Sequence, residues 1–472
     1  MSRKLNNVLA LGALLGGAVS VSVSAADWTS TKSVTLSEIY TDNADLSHDQ
    51  QRSELITTIT PNLSLQGKGG RANLTLNASL EVNNSSGASS SFNPRLGADG
   101  DVEILEDFLF VDASANITQN TVDAFRPSGT DRLSDTDNTT NTYNYQISPH
   151  FTQRYKGVAE LTGRYTHNYQ LNSDNDVGDS SSQAFVLSLN NGTDFKQLTW
   201  GGSLNYKDSG GDSSSELLST DANLGYKFNR SWQVRGSAGF EWNEFDTQRS
   251  DNDGVRWDMS AIWTPSSRTS LNIGYGDRFF GSTPTLDFTH RSRRSLFSAS
   301  YSRELTDSAS LLSEQSAFNT TNAAGQAIDP ITGDPLPLTN STFNIADGVF
   351  VNEKFQLSYT LTGKRSSLTV GASHSIQKFE SGRTDETLEK YSASASRRLS
   401  SVLDMDLGYV LSRQQRDGDE DAITSEYSAG VARKLGKDSR LKLTYRFIDR
   451  ESDDLTNDYQ ENRLQLSFTT SL

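Results

Sequence analysis

From about residue 30 the chain alternates apolar and polar residues in runs of about ten, separated by loops rich in Gly, Asp and Ser. One run reads Leu55-Ile56-Thr57-Thr58-Ile59-Thr60-Pro61-Asn62-Leu63-Ser64-Leu65. It turns at Gly67-Lys68-Gly69-Gly70 and returns as Ala72-Asn73-Leu74-Thr75-Leu76-Asn77-Ala78-Ser79-Leu80. Successive side chains of a strand point to opposite faces, so a period of two marks a strand with two unlike surfaces. Repeated to the last residue, the pattern predicts a transmembrane antiparallel β-barrel of the outer-membrane type.

Pairing short turns with longer polar stretches predicts about 22 strands, the first at 32–41 and the last at 459–472. Short turns belong at the periplasmic end and long loops outside. An even count returns both termini to the periplasm. The strands predicted at 94–104 and 309–318 supply that parity, and removing one hairpin would give 20. A single strand is predicted across 287–303.

The two faces separate well. Trp232, Val234, Gly236, Ala238, Phe240 and Trp242 share one side of their strand, and Gln233, Arg235, Ser237, Gly239 and Glu241 share the other. The first set is expected to face lipid, because an Arg at the bilayer midplane costs about 2–4 kcal/mol. Tyr226, Phe228, Trp232 and Trp263 lie beside short turns, as an interfacial aromatic girdle requires. In the last strand Leu464, Leu466, Phe468 and Leu472 are in phase, which suits the barrel-assembly machinery although the chain ends on Leu rather than an aromatic residue. The longest loop, 319–348, carries Pro330, Pro335 and Pro337 with Ile331, Leu336, Leu338 and Phe343, and is expected either to fold over or into the lumen as a constriction or, equally, to stand as an exposed loop.

Composition and the N-terminal segment change the picture in four ways. The hydrophobic fraction of 34% is low for a globular chain of 472 residues but suits a barrel with one lipid-facing side per strand. Arg3 and Lys4, the apolar run Val8 to Val23 and the small residues Val23-Ser24-Ala25 read as a signal peptide over 1–25, leaving 26–472 as one barrel domain. With no cysteine there is neither a disulfide nor a thiolate metal site. The formal charge is −16, and much of the acid falls in loops such as Asp174-Asn175-Asp176 and Asp417-Gly418-Asp419-Glu420-Asp421. Those runs lack the spacing of a calcium loop, and the acidity argues against nucleic acid as a partner.

The five histidines show no zinc-hydrolase spacing, and neither a nucleophile elbow nor a phosphate-binding loop is present. No catalysis, cofactor or metal is expected. The candidate lumen-lining charges are Arg164, Arg235, Glu241, Arg256, Asp258, Arg278 and Arg446. Mixed charge among hydroxyls and amides suits a water-filled passage, and equally a lumen braced by internal ion pairs. His290, Arg291, Arg293 and Arg294 form a candidate basic cluster, expected at the outer rim beside Arg278-Phe279-Phe280-Gly281. There it would form a charged rim above the lipid, or meet anionic sugars or lipopolysaccharide phosphates.

Several of these stretches resemble the outer-membrane β-barrel family associated with the PEP-CTERM/exosortase system. They are Leu36-Ser37-Glu38-Ile39-Tyr40-Thr41-Asp42-Asn43, Ile59-Thr60-Pro61-Asn62-Leu63, Gly69-Gly70-Arg71, Asp107-Phe108-Leu109-Phe110-Val111-Asp112-Ala113 and Arg278-Phe279-Phe280-Gly281 with the basic cluster. The resemblance implies a Gram-negative outer membrane and association with exopolysaccharide and protein-sorting loci. On that basis the expected role is a conduit or scaffold for exopolysaccharide export or surface assembly. Outer-membrane lipid, lipopolysaccharide, the barrel-assembly machinery and exopolysaccharide are the expected partners. The alternatives are a porin-like channel for small polar solutes and a surface receptor or adhesion barrel without transport.

Overall fold

The computed structural model describes residues 26–85, 91–128, 138–173, 177–211, 213–313, 320–321, 327–328, 345–416 and 420–472. The signal-peptide expectation over 1–25 and most of loop 319–348 lie outside the described residues.

Twenty-two antiparallel strands form one closed sheet. The first quarter comprises β1 (Asp27–Thr41), β2 (Glu54–Lys68), β3 (Ala72–Ser85), β4 (Ser91–Leu105), β5 (Leu109–Thr121) and β6 (Thr139–Tyr155). It continues through β7 (Ala159–Asn172), β8 (Ser180–Asn191), β9 (Leu198–Gly210), β10 (Ser215–Lys227) and β11 (Trp232–Phe245). The second half runs β12 (Gly254–Ser266), β13 (Thr269–Arg278), β14 (Thr285–Arg291), β15 (Ser295–Asp307), β16 (Val349–Thr362) and β17 (Ser366–Phe379). It ends with β18 (Glu386–Arg398), β19 (Leu403–Arg416), β20 (Glu420–Lys434), β21 (Ser439–Ser452) and β22 (Tyr459–Ser471).

β1 pairs with β2 on one side and with β22 on the other, from Ser33↔Ser471 to Thr41↔Arg463, and this seam closes the ring. Closure leaves no open edge, and in lipid an open edge would strand unpaired backbone groups. Inside the seam Thr35 and Thr469 are hydrogen-bonded at 3.0 Å, and Ser37 Oγ donates to Ser467 Oγ at 2.9 Å. At its upper end Asp42 accepts from the backbone N and side-chain Nδ2 of Asn462 at 2.7 and 2.8 Å. Thr41 Oγ1 donates to Glu461 at 2.6 Å. The stretch Ile39–Asn43 therefore secures the two chain-terminal strands to each other.

The count of 22 agrees with the sequence, but two segments within it are exchanged. The span 287–303 is two strands, not one, because Ser292-Arg293-Arg294 turns. Ser292 N donates to Ser295 O at 2.7 Å, and Ser292 Oγ accepts from Ser295 N at 3.0 Å. A hydroxyl supplies the turn chemistry here, with no Gly, Pro or Asn to signal it. The predicted strand 309–318 instead begins as a one-turn helix, α1 (Ser308–Ser313). The two exchanges cancel in the count and not in the topology.

The lipid face follows the apolar phase. Leu55, Ile59, Trp232, Trp242, Met259 and Leu464 are exposed on the outside of the isolated barrel. Trp232 and Trp263, register partners, meet at 5.9 Å with their rings tilted by 31° near the short turns, and Tyr226 meets Phe228 edge-on at 5.1 Å. No helix among the described residues is long and apolar enough to cross a membrane, and the strands do the crossing. An apolar outer band on a closed barrel of this size belongs to the Gram-negative outer membrane.

Candidate functional site

The ends of the barrel differ. All ten connections at the end carrying the chain termini are short, with two to six residues between strands. The longest connections, 42–53, 122–138 and 308–348, lie at the other end, and parts of all three turn inward.

α1 begins where β15 ends. The Asp307 carboxylate accepts from Ser310 N at 2.7 Å and from Ser310 Oγ at 2.9 Å, which caps the helix. Lys207 on β9 donates to Asp307 at 2.6 Å and to Ser310 Oγ at 2.5 Å, drawing the helix start toward that wall. Leu312 is 1% exposed and packs against Leu388 on β18, with Leu311 and Ile345 beside it. Its carbonyl accepts from Asn144 Nδ2 on β6 at 3.3 Å. β6 and β18 stand on nearly opposite sides of the ring, so this one residue touches both walls and narrows the lumen at its level.

The chain re-enters the barrel along the same path. Ala346 N donates to Ser308 Oγ at 3.1 Å, and Ala346 packs with Phe350, Phe379 and Leu311. Ile345 N donates to Val122 O at 3.3 Å, joining this segment to the loop after β5. That loop is folded around Asn138, whose side chain donates to Asp123 O at 2.8 Å and accepts from Asp123 N at 2.9 Å. Phe125, 1% exposed, lies under the Arg416 guanidinium at 4.2 Å. Arg450 on β21 donates to the carbonyls of Ala124 and Phe125 at 3.2 and 2.6 Å. The loop after β1 makes a third entry, with Leu46 buried against Ile448 and Tyr459. Its tip is held by Arg52, which clamps the Asp45 carboxylate at 2.6 and 2.8 Å. The hydrogen bond from Arg52 holds that carboxyl below its ordinary range.

The site is therefore a collar of small apolar clusters in an otherwise polar lumen, tied to the wall by buried charge. Glu386 is fully buried and accepts from Arg383 and Arg416, both at 3.0 Å. Glu380 accepts from Arg249 of the loop after β11 at 2.6 and 2.9 Å. Below the collar a cavity of about 170 Å³ lies against β14 to β18. Hydroxyls and an amide line it, including Ser298, Ser300, Gln356, Ser358 and Ser392, together with the charged Lys390 and Asp287.

Most of the lumen charges named from the sequence meet a partner. Arg278 donates to Glu241 at 2.5 Å, and Arg256 meets Asp221 at 3.0 Å and Glu241 at 4.0 Å. Asp258 accepts from Ser237 on the neighbouring strand. Arg164 donates to Asp112 at 2.6 Å and to Ser148 at 2.8 Å, and Arg446 meets Glu426 at 3.0 Å. Arg235 is exposed and enters no salt bridge among the described residues. Four registered strands, β10 to β13, thus bring Asp221, Glu241, Arg256 and Arg278 into one network, while Arg164 and Arg446 belong to separate parts of the wall.

The basic cluster is placed differently from expectation. His290 and Arg291 end β14 and Arg293 and Arg294 form its turn, so all four lie at the short-turn end, opposite Arg278-Phe279-Phe280-Gly281. Splitting 287–303 into two strands reverses the direction of the chain at Ser292 and moves the cluster from the outer rim to the periplasmic one. Arg278 and its neighbours remain at the long-loop end. There the Phe280 ring meets the guanidinium groups of Arg278 at 4.9 Å and Arg303 at 5.4 Å, and Arg303 also donates to Phe280 O at 3.2 Å. These aromatics brace a bend in which Gly281 takes φ +103°.

The collar residues Leu46, Phe125, Leu311, Leu312 and Ile345 carry little linear signal. Each is an isolated apolar residue, or a pair, within a polar connection. An apolar residue with no strand phase, in a loop that outlasts its turn, is the one cue that could have found them.

No known protein-family model and no curated protein matches the chain. Solved structures of similar fold include the siderophore receptor PirA from Acinetobacter baumannii (TM-score 0.53, 9% identity, 94% of this chain and 80% of that one). The FrpB iron transporter from Neisseria meningitidis, F5-1 variant, is similar at a TM-score of 0.53 and 10% identity over 94% of this chain and 82% of that one. The ferric-catecholate import receptor Fiu from E. coli K12, in an open form, gives 0.50 and 9% over 94% and 82%. At these identities the likeness is one of fold: a large outer-membrane barrel.

Proposed function

We infer that the chain is a gated outer-membrane passage for polar, hydroxyl-rich solutes, working by transport or binding rather than by catalysis. The observation that carries this reading is α1 inside the lumen, with Leu312 seated between β18 and β6. A barrel of this width would be a wide water-filled pore without internal obstruction. The collar narrows it with segments held by a few contacts each, which is what a gate requires. Replacing residues 308–348 by a short Gly/Ser turn should raise single-channel conductance in planar bilayers several-fold. Unchanged conductance from a heat-modifiable, folded barrel would remove the gate.

A porin-like channel or receptor has more support than a dedicated polymer exporter, since the solved barrels of similar fold include a siderophore receptor and an iron transporter; a sugar polymer is the finer reading of the cargo. The cavity of about 170 Å³ below the collar offers serine hydroxyls and an amide rather than a ring of like charge, which suits neutral hydroxylated ligands. The family resemblance to PEP-CTERM-associated barrels supports exopolysaccharide export or surface assembly on separate grounds. Loss of surface polysaccharide on deletion of the gene, restored by the intact chain, is the expected outcome. Unaltered polysaccharide with lost uptake of small polar solutes would favour the porin-like role, and binding without conductance would favour a receptor.

A further inference from the structure

The short-turn rim is divided by charge. The turns that join β12 to β21 carry Arg268; then Arg291, Arg293 and Arg294; then Lys364 and Arg365. Arg397 and Arg398 follow, and last Arg433, Lys434, Lys437 and Arg440. Against these twelve stand two carboxylates, Asp404 and Asp438. The five turns on the other half, from β2 to β11, hold seven Lys or Arg and five Asp or Glu. Two of those basic residues pair, Arg71 with Glu106 at 2.8 Å and Arg154 with Glu160 at 2.9 Å, and acidic residues nearly balance the basic ones there. In the basic half the ion pairs among the described residues are Arg398 and Arg440 with Asp404, at 3.8 and 3.9 Å. The other ten basic residues are exposed and enter no salt bridge among the described residues.

Strands lie about 4.8 Å apart, so neighbouring turns on one rim sit roughly 10 Å from each other. That is close to the Debye length of about 8 Å at physiological salt, so the charges of adjacent turns repel. A chain with a net charge of −16 concentrates a one-sided arc of positive charge here, with nothing of its own to neutralise it. Lipid headgroups surround a barrel on all sides and would call for a complete ring of basic residues, not half of one. A transported polyanion would call for cationic groups continuing inward. The wall above the arc is instead balanced, with Lys442 on Asp406 at 3.6 Å and Arg446 on Glu426 at 3.0 Å.

We propose that the basic arc from β12 to β21 is a docking surface for an acidic periplasmic protein, seated on one side of the barrel mouth. Across ten strands the arc spans roughly 45 Å, which about a dozen extended residues of an acidic segment would cover. Charge complementarity of this kind sets orientation and association rate, and it weakens steeply with salt.

The test uses the folded barrel in neutral detergent and a fluorescent poly-glutamate peptide of about sixteen residues as the acidic probe. One variant reverses Arg293→Glu, Arg294→Glu, Lys364→Glu and Arg365→Glu in the arc. A second makes the same charge change in the other half, with Lys68→Glu, Lys156→Glu, Lys227→Glu and Arg230→Glu. Heat-modifiable migration reports that both remain folded. The expected result is a more than tenfold weaker Kd for the first and less than twofold for the second, with affinity falling as salt rises. Equal losses in the two variants would mean that only net charge matters and would overturn the docking surface. Arc-dependent binding of polygalacturonate tighter than that of the peptide would assign the arc to an anionic polymer. Equal dependence of phosphatidylglycerol binding on both halves, with no preference for the peptide, would assign it to lipid. Either result would overturn the protein partner.

Discussion

The two ends of this barrel are built from the same strands and solve opposite problems. At the short-turn end the connections have only two to six residues, and many of their side chains stand in solvent as charge. Lys156 and Gly157 take φ 39° and 81°, the left-handed pair that matches the twist of a tight hairpin. At the long-loop end the connections outlast the turn, and their surplus residues fold back as α1, Phe125 and Leu46. One end offers surface and the other offers closure. Loop length decides which, because a turn of three residues has no chain left to reach the lumen.

That contrast presupposes the closed wall, and the most damaging change would be to the seam. Removing Phe468 to Leu472 deletes the pairing of β22 with Leu36 to Ser33 and is expected to abolish outer-membrane insertion. Normal levels of the truncated chain in the outer membrane would show that the ring closes elsewhere.

Next in size is the wall itself. Ala238→Arg should sharply reduce the heat-modifiable folded form, since it sets a cation in lipid at a cost of about 2–4 kcal/mol. Ser237→Arg, on the adjacent lumen position beside Asp258, should be tolerated. Equal loss in both would mean that the faces are assigned in the wrong phase, and the comparison of the two lumen mouths would fall with it.

A more local effect, confined to the loops rather than the wall, separates the ends directly. Glu386→Gln leaves Arg383 and Arg416 facing a neutral group at a buried site, a loss on the order of 3–5 kcal/mol to the local fold. Hydrogen exchange should quicken in 122–128 and 380–385 while the strands stay protected. Glu160→Gln at the other end breaks an exposed pair with Arg154 and is expected to change exchange little, in line with a surface ion pair of about 0–1 kcal/mol. Similar responses at the two sites would dissolve the distinction between a held collar and a solvated rim.

The smallest effect is on pH. Arg52 holds the Asp45 carboxyl below its ordinary value, so that pair adds stability above the unfolded pKa of about 4, and the contribution is lost as pH falls through the lower folded value. Limited proteolysis of loop 42–53 should therefore be unchanged from neutral pH to mild acid and increase only below about pH 4. An increase already at pH 6 would remove Asp45 from the account.

The sequence by itself determined the wall. A period of two assigns Trp232, Ala238 and Trp242 to lipid and Ser237 and Glu241 to the lumen, because strand geometry converts sequence position into side of sheet without regard to anything distant. It also yielded the number 22, though through two compensating exchanges: Ser292-Arg293-Arg294 turns on a hydroxyl hydrogen bond, and Ser308–Ser313 coils on an Asp cap, signals weaker than the alternation around them. Tertiary structure alone decided where the basic cluster lies, since one missed reversal carries a whole turn to the opposite rim. It alone decided the collar as well. Phe125 and Leu46 are unremarked residues in polar loops, and Leu312 reads as part of an expected strand, until the ring closes. Only then do β6 and β18, far apart in the chain, stand near enough to leave an apolar side chain a dry place between them.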